Sequence, residues 1–230
     1  MAETHSSVFL FDVDDTLLDN DRMKSDLGDY VAATFGDGAQ HELWALYEEQ
    51  RDKHGYADLL GTLERFRLAH LEDMRVVQMA NWVINYPFSE RLFADALAAV
   101  RHVSQWGLPV ILTDGDGVYQ PHKLERAGLT DAFGGRVLNF VHKETELDAV
   151  KRAFPAAHYV LVDDKLSVLD AVKRAWGDTV TTVFPRQGHY ANDPEKLKDF
   201  PPADIEIARI ADLMMHDFGA ICPPKEEIDP

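Results

Sequence analysis

Cysteine is nearly missing from this chain of 230 residues: the one thiol, Cys222, stands between Ile221 and Pro223. A lone cysteine excludes an intramolecular disulfide framework, and a reducing, cytoplasmic compartment is the expectation. Positive charge is scarce as well. With 23 Lys and Arg against 40 Asp and Glu, the net charge is −17. That argues against a nucleic-acid partner, whose phosphates need a basic face, and against an anionic membrane surface. An anionic small substrate stays compatible if cations, amides or a metal reverse the field at one site. Long apolar runs are absent too. No stretch approaches the roughly 18 apolar residues a membrane span needs, and the opening MAETHSSVFLF has neither a basic leader region nor a long apolar one. The ten histidines are scattered, without the paired spacing of a zinc site.

What is present is an ordinary folding composition, 46% hydrophobic and 27% charged, at a length that suits one large domain or one domain with an insertion. Buried-strand candidates are VFLFD (8–12), PVILTD (109–114), RVLNFV (136–141), HYVLVDD (158–164) and TVTTVF (179–184), with a short IEI near 205. Most are apolar on both faces, as strands of a parallel sheet covered on each side are. Helical patterns alternate with them: SERLFADALAAVRHVSQWG with Ser89 as N-cap, HKLERAGL, ETELDAVKRAF, and KLSVLDAVKRAWG with Gly177 as C-cap. Alternating strand and helix implies an α/β fold, a doubly wound Rossmann-like parallel sheet.

One interval breaks the alternation. From about Asp21 to Asn85 four amphipathic helical patterns follow one another without a strand. The domain reading is a core of 1–19 and 87–230 with a helical insertion at 20–86 after the first strand. Trp44, Tyr47 and Trp82 are expected to pack its helices together. The tail CPPKEEIDP reads as a solvated end.

Ligands of open α/β sheets bind beyond the carboxyl ends of the strands. The first strand ends in Asp12, Asp14 and Thr16, the second in Thr113 and Asp114, and HYVLV in Asp163 and Asp164. Carboxylates that converge repel one another and need a hard cation, and oxygen-only ligands favour Mg²⁺ over Zn²⁺. Lys143 and Lys123 are the nearby cations, Lys123 reading better as part of a surface helix. Asp15 and Asp19 read as turn and cap formers. Asp114 and Asp116 in LTDGDG read as turn formers that let the amides of Gly115 and Gly117 approach a phosphate. His189 reads as a surface histidine, and of the insertion's cations Arg22 and Lys24 are the first choices to reach a substrate.

In these motifs the chain resembles the haloacid dehalogenase-like (HAD) hydrolase superfamily. DVDDT matches its first motif DxDxT, LTDGD its second, Lys143 its third and LVDDK its acidic fourth. The resemblance covers almost the whole chain, and the insertion sits where that family places a small helical cap. It implies Asp12 as nucleophile, Asp14 as general acid and base, Thr113 as a hydroxyl donor to the phosphoryl group and Lys143 as its charge partner. It also implies a Mg²⁺ ion held by Asp12, the backbone of Asp14 and the fourth motif, with Asp164 as direct ligand and Asp163 behind it. The expected function is a Mg²⁺-dependent phosphatase acting on a small phosphorylated metabolite through an aspartyl-phosphate. A haloacid dehalogenase and a phosphomutase use the same scaffold; a catalytically silent phospho-ligand binding protein would have lost motif residues, and none is missing. A response-regulator receiver carries similar groups in another order and has no cap. Monomer and homodimer remain equally compatible with the sequence.

Overall fold

The structure, a computed structural model, describes residues 4–56 and 58–222. Six strands form one sheet in which every pairing is parallel: β1 (His5–Phe11), β2 (Leu108–Asp114), β3 (Val137–Phe140), β4 (Ala156–Val162), β5 (Val180–Pro185) and β6 (Ile205–Ile207), in the order β3-β2-β1-β4-β5-β6. The chain winds outward from β1 through β2 to β3, then crosses to the other side of β1 for β4, β5 and β6. That reversal opens a crevice at the carboxyl end of β1.

The side-chain period of two explains why β1 is central. Val8 and Leu10 enter one apolar cluster with Val110, Leu112 and Leu161, while Phe9 and Phe11 enter the other with Ile111, Val160 and Val162. All four β1 side chains are buried, so the sheet is covered on both faces. The doubly wound reading of the sequence matches, with strand ends shifted by at most three residues.

Four helices occupy the interval after β1: α1 (Asn20–Phe35), α2 (Asp37–His54), α3 (Leu59–Ala69) and α4 (Arg75–Ile84). Asp19 caps α1 by accepting the Arg22 N–H at 2.8 Å, and Asp58 caps α3 by accepting the Gly61 N–H at 2.7 Å. Met23, Leu27 and Val31 on α1, Leu59, Leu63 and Phe66 on α3, and Val76, Met79 and Val83 on α4 form buried stripes at helical spacing. Tyr30 stacks on Trp82 with centroids 5.1 Å apart, and Trp44 meets Tyr47 edge-on at 5.6 Å.

The return to the core departs from the sequence reading. Ser89 does not begin a long helix: Phe88–Arg91 is one 3₁₀ turn, and α5 (Ala96–Val103) starts only after Asp95, which is left-handed at φ 61°. The reason is hydrogen bonding with the outgoing linker. Asp19 N–H donates to Arg91 O at 2.8 Å, Phe93 N–H donates to Leu17 O at 2.9 Å, and Leu18 bridges Leu92. Those groups are therefore not free for a helical ladder.

Beyond β2 the chain makes α6 (Tyr119–Arg126), α7 (Leu129–Ala132), α8 (Leu147–Ala153), α9 (Leu166–Trp176), α10 (Gly188–Ala191) and α11 (Pro194–Leu197). Gly177 ends α9, its N–H donating to Lys173 O. The tail reading falls on residues 223–230, outside those described, but Cys222 itself is buried. Among the described residues no helix is long and apolar enough to cross a membrane.

Candidate active site

Asp12 is the first residue past β1, and its N–H still donates to Val162 O of β4 at 2.9 Å. The chain then coils tightly: Thr16, Leu17 and Leu18 all donate N–H to Val13 O. This turn puts Asp15 at φ 63°, a conformation Asp tolerates better than most residues. Asp15 Oδ1 accepts the N–H groups of Asn20 and Asp21, each at 3.0 Å, which caps the start of α1.

Three carboxylates meet at the mouth of β1 and β4. Asp12, Asp163 and Asp164 each bring an oxygen within 4.8 Å of the others, and they are 3%, 0% and 0% exposed. Lys143, on the 3₁₀ turn Lys143–Thr145 after β3, reaches into them: its Nζ pairs with Asp12 Oδ1 and lies 2.6 Å from Asp163 Oδ2. Asp114 Oδ1 accepts the Lys143 backbone N–H at 2.7 Å, which anchors the lysine at the end of β2. Asp163 Oδ1 also accepts the Lys165 N–H at 2.9 Å.

Asp164 is different. Both of its oxygens are buried without a hydrogen-bond partner among the described residues, as is Asp12 Oδ2. Burial pushes the Asp12 carboxyl up to about 6, the Lys143 charge only partly offsetting it. Burial, with Asp12 and Asp163 adding to it, raises Asp164 well above the usual carboxylate range. Burial would lower Lys143, but Asp12, Asp163 and Asp114 outweigh it and hold the ammonium above its ordinary range. An all-oxygen group of buried, under-partnered carboxylates fits a hard divalent cation.

A second group, Asp15, Asp21 and His189, is also compact. Its members are already engaged: Asp15 caps α1, and His189 gives Asp21 a ring contact at 2.7 Å and its backbone N–H at 2.8 Å. His189 thus ties the loop after β5 to α1 and does not reach the carboxylate cluster.

Above the cluster lies a cleft between the helical insertion and the sheet. Its larger lobe, about 320 Å³, and a smaller one of about 50 Å³ share Asp14, Asn20, Lys24, Tyr47, Asp114 and Gly115 in their walls. Asp14 therefore faces the cleft while Asp12 lies beneath it. Lys24 reaches the cleft from α1, but Arg22 does not: it is exposed and paired with Asp26 at 2.8 Å. Gly115 lines the cleft, yet its N–H donates to Phe140 O at 2.9 Å and is not free for a phosphate. Asp116 is a turn former, accepting the N–H groups of Val118 and Tyr119.

Lys123 requires a correction. It is not on a solvated face but only 3% exposed, and its Nζ lies 2.6 and 2.7 Å from the two oxygens of Asp14. A lysine buried on a helix with exposed Arg126 three residues on has no distinctive sequence signal. Gln120 was equally invisible; its Nε2 donates to Thr113 Oγ1 at 2.9 Å. Lys165 lies in the matched LVDDK motif without an expected role; it lines the cleft with its ammonium 5.0 Å from the Tyr190 ring centroid.

Fold and site together define a doubly wound α/β protein with an acidic cluster at the switch point and a helical cover above it. No family model matches the chain, and no curated protein matches it. Among solved structures it is similar to a haloacid dehalogenase-like hydrolase of Burkholderia xenovorans LB400, with 48% identity over 94% of this chain and 99% of that one, at a TM-score of 0.88. The chain belongs to the haloacid dehalogenase-like hydrolase superfamily. Two more distant structures share the fold. One is the HAD hydrolase YfnB of Bacillus subtilis bound to magnesium, at 16% identity over 94% and 98% of the two chains and a TM-score of 0.62. The other is the L-2-haloacid dehalogenase of Xanthobacter autotrophicus, at 17% over 90% and 96% and a TM-score of 0.58.

Proposed function

We propose that the protein is a Mg²⁺-dependent phosphatase of a small phosphorylated metabolite, working through an aspartyl-phosphate on Asp12. The observation that carries this reading is Asp164: a fully buried carboxylate with two unpartnered oxygens beside the free oxygen of Asp12. Asp12, Asp164 and the backbone carbonyl of Asp14 would hold the ion. Asp163 would stand behind them, since Lys143 and the Lys165 N–H already occupy it. When bound, Mg²⁺ would supply charge neutralisation at the phosphoryl oxygens.

In the first half-reaction the Asp12 carboxylate attacks phosphorus, the ester P–O bond breaks, and Asp14 gives its proton to the leaving oxygen. Lys143 orients Asp12 and offsets its charge, and the Thr113 hydroxyl, steadied by Gln120, donates to a phosphoryl oxygen. In the second, Asp14 takes a proton from water as the water attacks phosphorus, releasing phosphate and restoring Asp12. Lys24 and Arg51 are the cations of the cover that line the cleft and would face the bound ester. A halide leaves carbon without needing a proton, so dehalogenation would have no use for Asp14 as a general acid.

The test is turnover of p-nitrophenyl phosphate and a panel of phosphorylated metabolites with Mg²⁺. Asp12→Asn should abolish it and EDTA should suppress it. Full activity of Asp12→Asn would refute the nucleophile assignment; EDTA-insensitive turnover of 2-haloacids without phosphatase activity would establish dehalogenation instead.

A further inference from the structure

We propose that Lys123 is the positioning residue of the general acid, holding the Asp14 carboxylate in the cleft wall toward the leaving group. The inference rests on the phosphatase reading above. Its basis is the two contacts of 2.6 and 2.7 Å from one ammonium to both Asp14 oxygens. Among the described residues neither side chain makes another hydrogen bond. The lysine side chain is 4% exposed, and Asp14, at 27%, faces the cleft. Burying an ammonium is costly unless a partner fixes it, so the pair constrains both side chains.

The helix that carries Lys123 does the same for a second group. Gln120 and Lys123 lie three residues apart on the buried face of α6, which also carries Tyr119 and Leu124. Gln120 holds the Thr113 hydroxyl at the end of β2, and Lys123 holds Asp14 at the end of β1. One rigid helical turn thus sets two groups from different strands relative to each other. Orientation of this kind matters because proton transfer needs the acid within hydrogen-bond reach of the leaving oxygen, and small misplacements are costly.

The acid form of Asp14, accepting from Lys123 through one oxygen, gives the proton on its other oxygen to the leaving oxygen as the ester P–O bond breaks and the phosphorus–Asp12 bond forms. The carboxylate left behind lies against the Lys123 ammonium, which neither gains nor loses a proton.

A leaving-group comparison tests this. Phenyl phosphate leaves poorly and depends on the acid; p-nitrophenyl phosphate leaves well and depends on it less. With Mg²⁺, Lys123→Met should lower kcat/KM, which reads only the first half-reaction, by about a hundredfold on phenyl phosphate and by less than about tenfold on p-nitrophenyl phosphate. Lys123→Arg should recover most of the loss. In an Asp14→Asn background, Lys123→Met should cost nothing further on phenyl phosphate. Should Lys123→Met alone fail to fold, the double variant, which buries no unpaired charge, and Lys123→Arg carry the comparison. Equal fractional losses on both esters, or additive losses in the double variant, would overturn the role. A wild-type protein inactive on every ester would instead refute the phosphatase reading, and this inference with it.

Discussion

Thr16 and Asp164 lie 148 residues apart in the chain and meet at 3.1 Å, the Asp164 N–H donating to the Thr16 hydroxyl. Both residues are fully buried. The contact joins the first acidic loop to the last and sets where the Asp164 carboxylate sits relative to Asp12. Gln187 reinforces the same loop, its Nε2 donating to Thr16 O at 3.2 Å.

Thr16→Val keeps the shape of this side chain and removes the acceptor, leaving a buried N–H unsatisfied. The expected loss is about 1–3 kcal/mol of stability and roughly a 10–100-fold rise in the Mg²⁺ midpoint of activity, the range typical of groups that orient metal ligands. Urea unfolding and a Mg²⁺ titration of turnover measure the two effects. An unchanged Mg²⁺ midpoint would show that the contact serves only the fold.

Gly188 sits at φ +67°, and a Cβ built there would lie 2.4 Å from the Asp15 Cβ. Gly188→Ala therefore meets both backbone strain and a collision with the residue that caps α1. Gly135, at φ +73° with nothing within 4 Å, provides the contrast of strain alone. Gly188→Ala should cost more than Gly135→Ala, on the order of 2–4 kcal/mol against about 1 kcal/mol. Denaturant midpoints compare them, and equal costs would show that the loop after β5 yields freely.

The sheet and the acidic cluster were legible in the sequence because each strand carries its own signal. Apolar runs such as VFLF and YVLV record burial on both faces, and the acids immediately after them record the strand ends. Lys143 was legible because it comes three residues after the last residue of β3 and matches the third motif of the resemblance. Lys123 and Gln120 were not, because their roles depend on which face of α6 turns inward, and QPHKLERAGL is too polar to reveal that face. Arg22 and Lys24 were indistinguishable by distance from the acidic loop after β1; the rotation of α1 sends one to Asp26 and the other to the cleft. The Ser89 cap failed because the pairing of linkers 17–19 and 91–93 is long-range and overrides a local helical pattern.

Asp204 ties the edge strand to its neighbour. Its Oδ2 accepts the Thr182 N–H at 2.8 Å and the Thr182 hydroxyl at 2.9 Å, and pairs with Lys173 at 2.9 Å. Burial works against the charge, but the Lys173 and Thr182 donors outweigh it and hold the carboxyl below its ordinary range. A carboxyl lowered in the fold adds stability above its unfolded value of about 4, and that stability is lost as pH falls through the folded value. Asp204→Asn should therefore be less stable than wild type at pH 7, with the gap narrowing toward pH 3. Urea midpoints across that range read it, and a gap independent of pH would mean the charge contributes nothing.

Asp164 sets stability against function. Among the described residues its fully buried carboxylate has no donor on either oxygen, which disfavours the fold unless a cation offsets the charge. Asp164→Asn replaces that charge with a neutral group of the same shape, whose burial costs less. In EDTA the variant should melt above wild type, by about 1–2 kcal/mol or roughly 2–8 °C for a chain of this size. Added Mg²⁺ should raise the wild-type melting temperature by stabilising only the folded state, and should raise the variant's far less, so the gap closes or reverses. Turnover should fall by at least about a hundredfold in the variant, since charge neutralisation at the phosphoryl group goes with the ligand. Thermal melts with and without Mg²⁺ separate the two roles. A variant that melts below wild type in EDTA, yet responds to Mg²⁺ as wild type does, would show that Asp164 supports the fold and does not hold the ion.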